Sequence, residues 1–188
     1  MQLTGYQLLH ELLYPTGANQ SNVPIEMIEA NLPLRIRRYG LAADTGGAGR
    51  FRGGSSLIRE YELLAESAVF SLRSDKRAHP PHALGGGEPG QGPINLLRQG
   101  ALETTLPVLV TKGIALKRSD IFHHVTQYGG GYGDPFTRDP AMVLDDVLEE
   151  KLSLGRALAA YGVMIRDGRV DATATALLRA QRPVAAPV

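Results

Sequence analysis

The stretch "TQYGGGYGDPFTRDP", Thr126–Pro140, decides how the rest of the chain reads. Gly129, Gly130, Gly131 and Gly133 crowd together among Tyr128, Tyr132 and Phe136, and Asp139-Pro140 closes the run. Three readings compete: a phosphate cradle, a flexible linker, and a tightly turned loop packed close to something else. A P-loop needs Gly-Lys-Ser/Thr opening the next helix, and a dinucleotide fingerprint needs its glycines between a strand and a helix start. Neither follows here, because the next helix begins only after Asp134, Pro135 and Arg138. A linker would not interleave its glycines with aromatic side chains that want burial. Close packing remains, within the domain or against a partner.

Downstream of this stretch the period is helical. "DPAMVLDDVLEEKL" offers Val143, Val147 and Leu148 as an apolar set, with Asp145, Asp146, Glu149 and Glu150 assigned to water. Ser153 reads as the cap of a second helix over 154–161, ended by Gly162. A hairpin around Asp167-Gly168 and a last helix from about Asp171 follow, and 183–188 reads as a frayed tail.

Upstream the period is that of strands. A helix over residues 3–14 is ended by Pro15 and Gly17. Asn22 caps a short turn with Pro24 near its first position, Ile25 and Ile28 facing inward, and Pro33 as its stop. "LRIRRYGL" alternates Leu34 and Ile36 with Arg35 and Arg37, a half-buried strand. Residues 43–56 are a glycine-rich turn or hairpin loop, and "SLIREYELL" is a second strand. "SAVFSLRSDKR" is a third, with Phe70 and Leu72 on one face and Val69, Ser71 and Arg73 on the other. Residues 78–93 are too rich in Pro and Gly for a regular element. "INLLRQG", "LPVLVTKGIAL" and "RSDIFHHVT" give further short strands around turns at Gly100 and Gly113. Polar breaks at hairpin spacing favour antiparallel pairing. The expected class is α+β: a β-rich body of mostly antiparallel strands with a helical C-terminal section, one domain over 1–188.

Composition narrows the function. The chain has 188 residues, 43% hydrophobic and 21% charged, as an ordinary soluble domain does. A net charge of +1 argues against a nucleic-acid partner. The absence of cysteine removes disulfides and thiolate metal sites and fits a cytoplasmic setting. No apolar run approaches the ~18 residues of a spanning helix, and "MQLTGYQLLHELL" does not read as a signal peptide, so no membrane is expected. His79 and His82 flank Pro80-Pro81 in a loop, and His123 and His124 are strand neighbours that point to opposite faces. No carboxylate stands at a zinc-site spacing from them, and no G-x-S-x-G elbow is present, so no catalytic and no metal residue is assigned.

The order of the glycine clusters adds more. "NVPIEMIEANLPLRIRRYGLAADTGGAGRFRGGSSLIREYELL", "RAHPPHALGGGEPGQG", "GGGYGDPFTRDPAMVLDDV" and "LSLGRALAAYGVMI", from about Asn22 to about Ile165, together resemble the C-terminal third of the hydantoinase B/oxoprolinase family. That resemblance implies part of an ATP-dependent hydantoinase or 5-oxoprolinase, a hydrolase of ring amides. A hydantoinase A-type ATPase subunit would phosphorylate the amide oxygen of a small cyclic amide, and the B half would hydrolyse the activated ring. It implies a hetero-oligomer with that ATPase and with the N-terminal part of the B subunit. ATP would sit on the partner and a divalent metal in that N-terminal region, with no cofactor held by this chain alone, which by itself would be inactive. Relatives in the acetone and acetophenone carboxylase systems make a carboxylase subunit the alternative within enzymes. A truncated, non-catalytic assembly chain is the other alternative.

What transfers is a framework. Arg50, Arg52, Gly53, Gly54, Arg59 and Glu60, with Gly129, Gly130, Gly131, Gly133 and Asp134, are the implied substrate or interface loops. Thr126-Gln127 replaces the family's Thr-Pro, Tyr128 stands where another glycine is common, and His82 replaces a Trp.

Overall fold

Leu34 and Ile36 turn inward and Arg35 and Arg37 outward along β1 (Leu34–Leu41), as alternation requires of a half-buried strand. The computed structural model describes residues 23–181; the helix read over 3–14, the Asn22 cap and the 183–188 tail lie outside them. Within these residues the chain forms two units, one from 23–42, 56–80 and 91–127, the other from 43–55, 81–90 and 128–181.

The first unit is antiparallel. β2 (Leu57–Leu63), β3 (Ser67–Arg73), β4 (Ile94–Gln99), β5 (Leu102–Thr105), β6 (Leu109–Lys117) and β7 (Ile121–Val125) complete its strands. One sheet runs β1-β2-β7-β4-β5, and β3 pairs with β6 in a second. Phe70 and Leu72 point inward from β3 as read, and join Leu63, Leu97, Leu106 and Leu116 in the core. Phe70 and Phe122 meet with ring centroids 4.6 Å apart. Helix α1 (Ile25–Asn31) packs on β1 with Ile25 and Ile28 half-buried, and Pro24 occupies its N-cap.

Two strand readings need correction. The turn read at Gly113 is a bulge inside β6: Phe70 pairs with Ile114 but Leu72 with Val110, so β6 carries extra residues there. Gly113 sits at φ 73°, so a turn-like conformation occurs without ending the strand. The stretch "LETT" becomes β5, an exposed edge strand with no buried face to set an alternation.

The second unit holds the glycine loops, a 3-10 turn (Pro135–Thr137), α2 (Pro140–Leu148), α3 (Leu154–Tyr161), the β8–β9 hairpin (Ile165–Arg166, Arg169–Val170) and α4 (Ala172–Ala180). The C-terminal punctuation works as read. Asp139, Ser153 and Asp171 accept backbone N–H groups at the starts of α2, α3 and α4, and Gly162 closes α3 at φ 61°. The core is small: Ala48 from the first glycine loop joins Val143, Leu152, Ala157, Ala160, Tyr161 and Val163. The architecture is therefore α+β, antiparallel sheets followed by a helical C-terminal section.

Candidate functional site

Three glycine-rich loops, 44–55, 81–90 and 128–134, pack backbone against backbone in the second unit. Gly47 N donates to Gly129 O (2.9 Å), Leu84 N to Gly131 O (3.2 Å) and Gly131 N to Glu88 O (2.9 Å). Phe51 and Tyr132 exchange both N–H···O bonds, at 3.0 and 2.9 Å, and Arg50 N donates to Gly133 O at 3.1 Å. The spacing leaves no room for side chains. A Cβ on Gly131 would lie 2.1 Å from Ala48 O, and one on Gly53 would lie 2.1 Å from Gly129 O.

That geometry decides among the three readings of the opening stretch. The loop packs tightly, and its companions are the chain's own loops, which share its small residues. A phosphate cradle needs a row of amides free to face the anion. Here the amides of Gly47, Arg50, Phe51, Gly131, Tyr132 and Gly133 are all donated to carbonyl oxygens. Of the interleaved aromatics, Tyr128 and Phe136 are half-buried, whereas Tyr132 is 42% exposed and lies beside Phe51 with centroids 6.2 Å apart.

Behind the loops lies a buried charge cluster that the sequence reading missed. Asp146 is buried, not solvated as expected, and takes two guanidiniums. Arg52 donates from Nε to Oδ2 and from Nη2 to Oδ1, both at 3.3 Å, and Arg138 Nη2 donates to the shared Oδ2 at 2.8 Å. Arg52 also donates to Gly53 O and Ser55 Oγ, and Arg138 to Arg50 O, so both tie the first loop to α2. The signal was present: Val143, Asp146 and Val147 share one helical face at i, i+3, i+4. Leu148, read as part of the apolar set, is instead 63% exposed. Beside the third loop Arg156 pairs with Glu88, and burial pushes the Tyr128 hydroxyl above its ordinary range. Asp134 accepts Phe136 N at 3.0 Å and starts the 3-10 turn.

Arg59 and Glu60 stand apart from this group, on β2 of the first unit. As strand neighbours they point to opposite faces, so they do not act as a pair. Glu60 Oε1 lies 2.8 Å from His123 Nδ1 and 3.7 Å from Arg98 Nη1. Arg59 lies over the Tyr39 ring at 5.4 Å and is opposite His124 in the ladder. The fully buried Asn95 bridges His124 Nδ1 at 2.7 Å and Ser74 Oγ at 2.9 Å. Burial, then the Arg59 charge, holds the His124 pKa below its ordinary value.

Among the described residues no group of three or more His, Asp or Glu could hold a metal ion. No helix among these residues is long and apolar enough to cross a membrane.

Comparison with known proteins agrees with the family resemblance. The family described as hydantoinase B/oxoprolinase matches residues 14–135. The putative D-/L-hydantoinase B subunit from Pseudomonas sp. (strain NS671) is 37% identical over 152 residues, 80% of this chain and 25% of that protein. The solved ATP-dependent caprolactamase from Pseudomonas jessenii aligns with a TM-score of 0.68 at 31% identity, over 84% of this chain and 28% of that one. A nucleotide-free acetone carboxylase structure shares the fold, with a TM-score of 0.71 at 21% identity over 86% of this chain and 26% of that one. The chain thus spans about a quarter of the length of these relatives.

Proposed function

The chain belongs to the hydantoinase B/oxoprolinase family, and from that premise we propose that it is one portion of an ATP-dependent enzyme that hydrolyses the ring amide of a hydantoin or lactam. The observation that carries this reading is the similarity to a putative hydantoinase of the B type, 37% identical over 80% of this chain. The caprolactamase, whose name states a cyclic amide substrate, supports it at 31% identity.

In this reading an A-type ATPase transfers a phosphoryl group to the amide oxygen. Water adds to the activated ring carbon, the C–N bond breaks with the ring nitrogen leaving as a protonated amine, and a second water hydrolyses the resulting acyl phosphate to carboxylate and inorganic phosphate. The divalent metal belongs to the N-terminal portion of the B-type polypeptide, and no step through it is derived for this chain. The residues here do two things. The interlocked loops, tied by Arg52, Arg138 and Asp146, form a stiff platform with little backbone freedom. On that platform the exposed side chains of Arg50 and, in the 129–134 loop, of Tyr132 are the contacts offered to substrate or to a neighbouring polypeptide. Arg59 and Glu60 belong to the sheet and act separately.

The test is reconstitution. The chain is co-expressed with an A-type ATPase and the N-terminal portion of a B-type polypeptide, and phosphate release is followed with hydantoin, 5-oxoproline and caprolactam. Ring-dependent release that requires this chain is the expected result. Release that depends on acetone and bicarbonate would establish the carboxylase alternative. No stimulation by any of them would leave a non-catalytic assembly chain.

A further inference from the structure

Helix α3, "LGRALAAY", lacks the polar outer face that a surface helix carries. Its inward positions, Ala157, Ala160 and Tyr161, are buried in the core of the second unit. Its outward positions are Leu154, Gly155, Leu158 and Ala159, and all of them are exposed. Leu154 is 57% exposed and Leu158 39%. The one charged side chain of the helix, Arg156, is engaged with Glu88 at the flank. α2 next to it also exposes Met142 and Leu148, but its outward face carries the charged Asp145 as well. A helix with an apolar outward stripe as well as an apolar inward one belongs inside a larger body.

We infer that the outward face of α3 docks an uncharged, apolar helix from the remaining portion of a hydantoinase B-type polypeptide. The geometry specifies the occupant's shape. Gly155 and Ala159, one turn apart, form a shallow floor, and Leu154 and Leu158, also one turn apart, form a ridge beside it. A floor of small residues lets a second helix approach near the short end of the usual 8–10 Å axial separation. Large aliphatic or aromatic side chains on the incoming helix fill the floor, and a charged side chain there would be stranded without a partner.

Size separates this occupant from a second copy of the chain. α3 is about 12 Å long at 1.5 Å per residue, and one such face cannot supply the ~800 Å² per partner that a stable dimer needs. The face needs a partner that touches the molecule elsewhere as well. Relatives about four times as long as this chain carry roughly three quarters of their sequence outside the matched region, enough to supply a partner of that extent. The inference thus rests on the proposed membership in a larger enzyme, and it locates one of the surfaces through which that enzyme is completed.

The experiment uses the full chain and the N-terminal portion of a hydantoinase B-type polypeptide, truncated before the region that this chain matches. Affinity is measured for the wild-type chain and for Leu154→Glu, Leu158→Glu and Ala159→Trp, with thermal melts of each free chain. The substituted side chains are exposed in the free chain, so melting temperatures should stay within a few degrees. Each variant should bind the truncated polypeptide at least tenfold more weakly. Wild-type affinity in all of the variants would overturn the inference, as would failure of the wild-type chain to bind. Sedimentation showing a wild-type dimer that Leu158→Glu dissociates would assign the face to a second copy and equally overturn it. Ring-dependent ATP hydrolysis is read separately in the reconstituted wild-type complex. Binding without turnover sinks the hydrolase reading alone, and turnover with unimpaired variant binding sinks the docking inference alone.

Discussion

At Asp146 one carboxylate balances the buried Arg138 guanidinium and the part-buried Arg52, so its removal costs more than a hydrogen bond. Asp146→Ala takes the counter-charge from the buried Arg138 and the part-buried Arg52 and frees the first glycine loop from α2. We expect a loss of about 3–5 kcal/mol, read from urea unfolding midpoints. The exposed neighbour Asp145→Ala should change stability by no more than about 0.5 kcal/mol. Equal effects at the two positions would show that the cluster is not stabilising. The glycine loops make a second residue-level prediction. Gly131→Ala places a Cβ 2.1 Å from Ala48 O and 2.5 Å from its carbonyl carbon, and neither backbone can rotate away. Its cost should reach about 3 kcal/mol, at the upper end for overpacking. Gly40→Ala, with nothing within 4 Å of the new methyl and no positive φ, should be neutral within about 0.5 kcal/mol. A tolerated Gly131→Ala would mean that the loops can separate without consequence.

Among the elements, those whose boundaries rest on local chemistry were legible in the sequence. Ser153 and Gly162 bracket α3, and Asp167-Gly168 turns the last hairpin, because caps and turns satisfy backbone groups within a few residues. The strand β3 was legible because one buried face imposes alternation. Where tertiary context decides, the sequence is silent. Charge sent Asp146 to solvent in the reading, although its helical phase matched Val143; only its two distant arginines show why it is buried. The partners of the 129–133 glycines were equally invisible, since a close backbone approach needs small residues and does not say whose backbone arrives. Arg59 and Glu60 were set together by the family resemblance, and the pleat of β2 turns them to opposite faces. The β7 strand carries a pH prediction of its own. His124 is partly buried against Asn95 and faces the Arg59 charge, so its folded pKa lies below the ordinary value of about 6.5. A depressed histidine means that the unfolded chain binds the proton more readily. Stability from this group is therefore intact above about pH 6.5, falls as pH drops through that value, and levels off below the folded pKa. His124→Gln should flatten that part of the profile of unfolding free energy against pH. An unchanged profile would remove His124 as its source.

At the scale of the whole chain, the second unit is assembled from segments scattered through the first. The loops 43–55 and 81–90 are excursions from the sheet-forming sequence, and residues 128–181 supply the backbone on which they lie. The first unit has its own core of Leu63, Leu97, Leu106 and Leu116, and all of its strands precede Tyr128. These facts make a truncation informative. A chain ending at Gln127 keeps every strand of both larger sheets but removes the acceptors Gly129 O, Gly131 O, Tyr132 O and Gly133 O. Amide exchange should then split by residue. Ladder amides in β2, β4 and β7 should stay protected, because their pairing and apolar packing are retained. Amides of Gly47, Arg50, Phe51 and Leu84 should exchange at rates near those of an unfolded chain, because their carbonyl partners are gone. Loss of protection throughout β2, β4 and β7 would instead make the two units one cooperative body. Retained protection at Gly47 and Phe51 would show that the loops hold their shape without residues 128–134, against the mutual packing on which the platform depends.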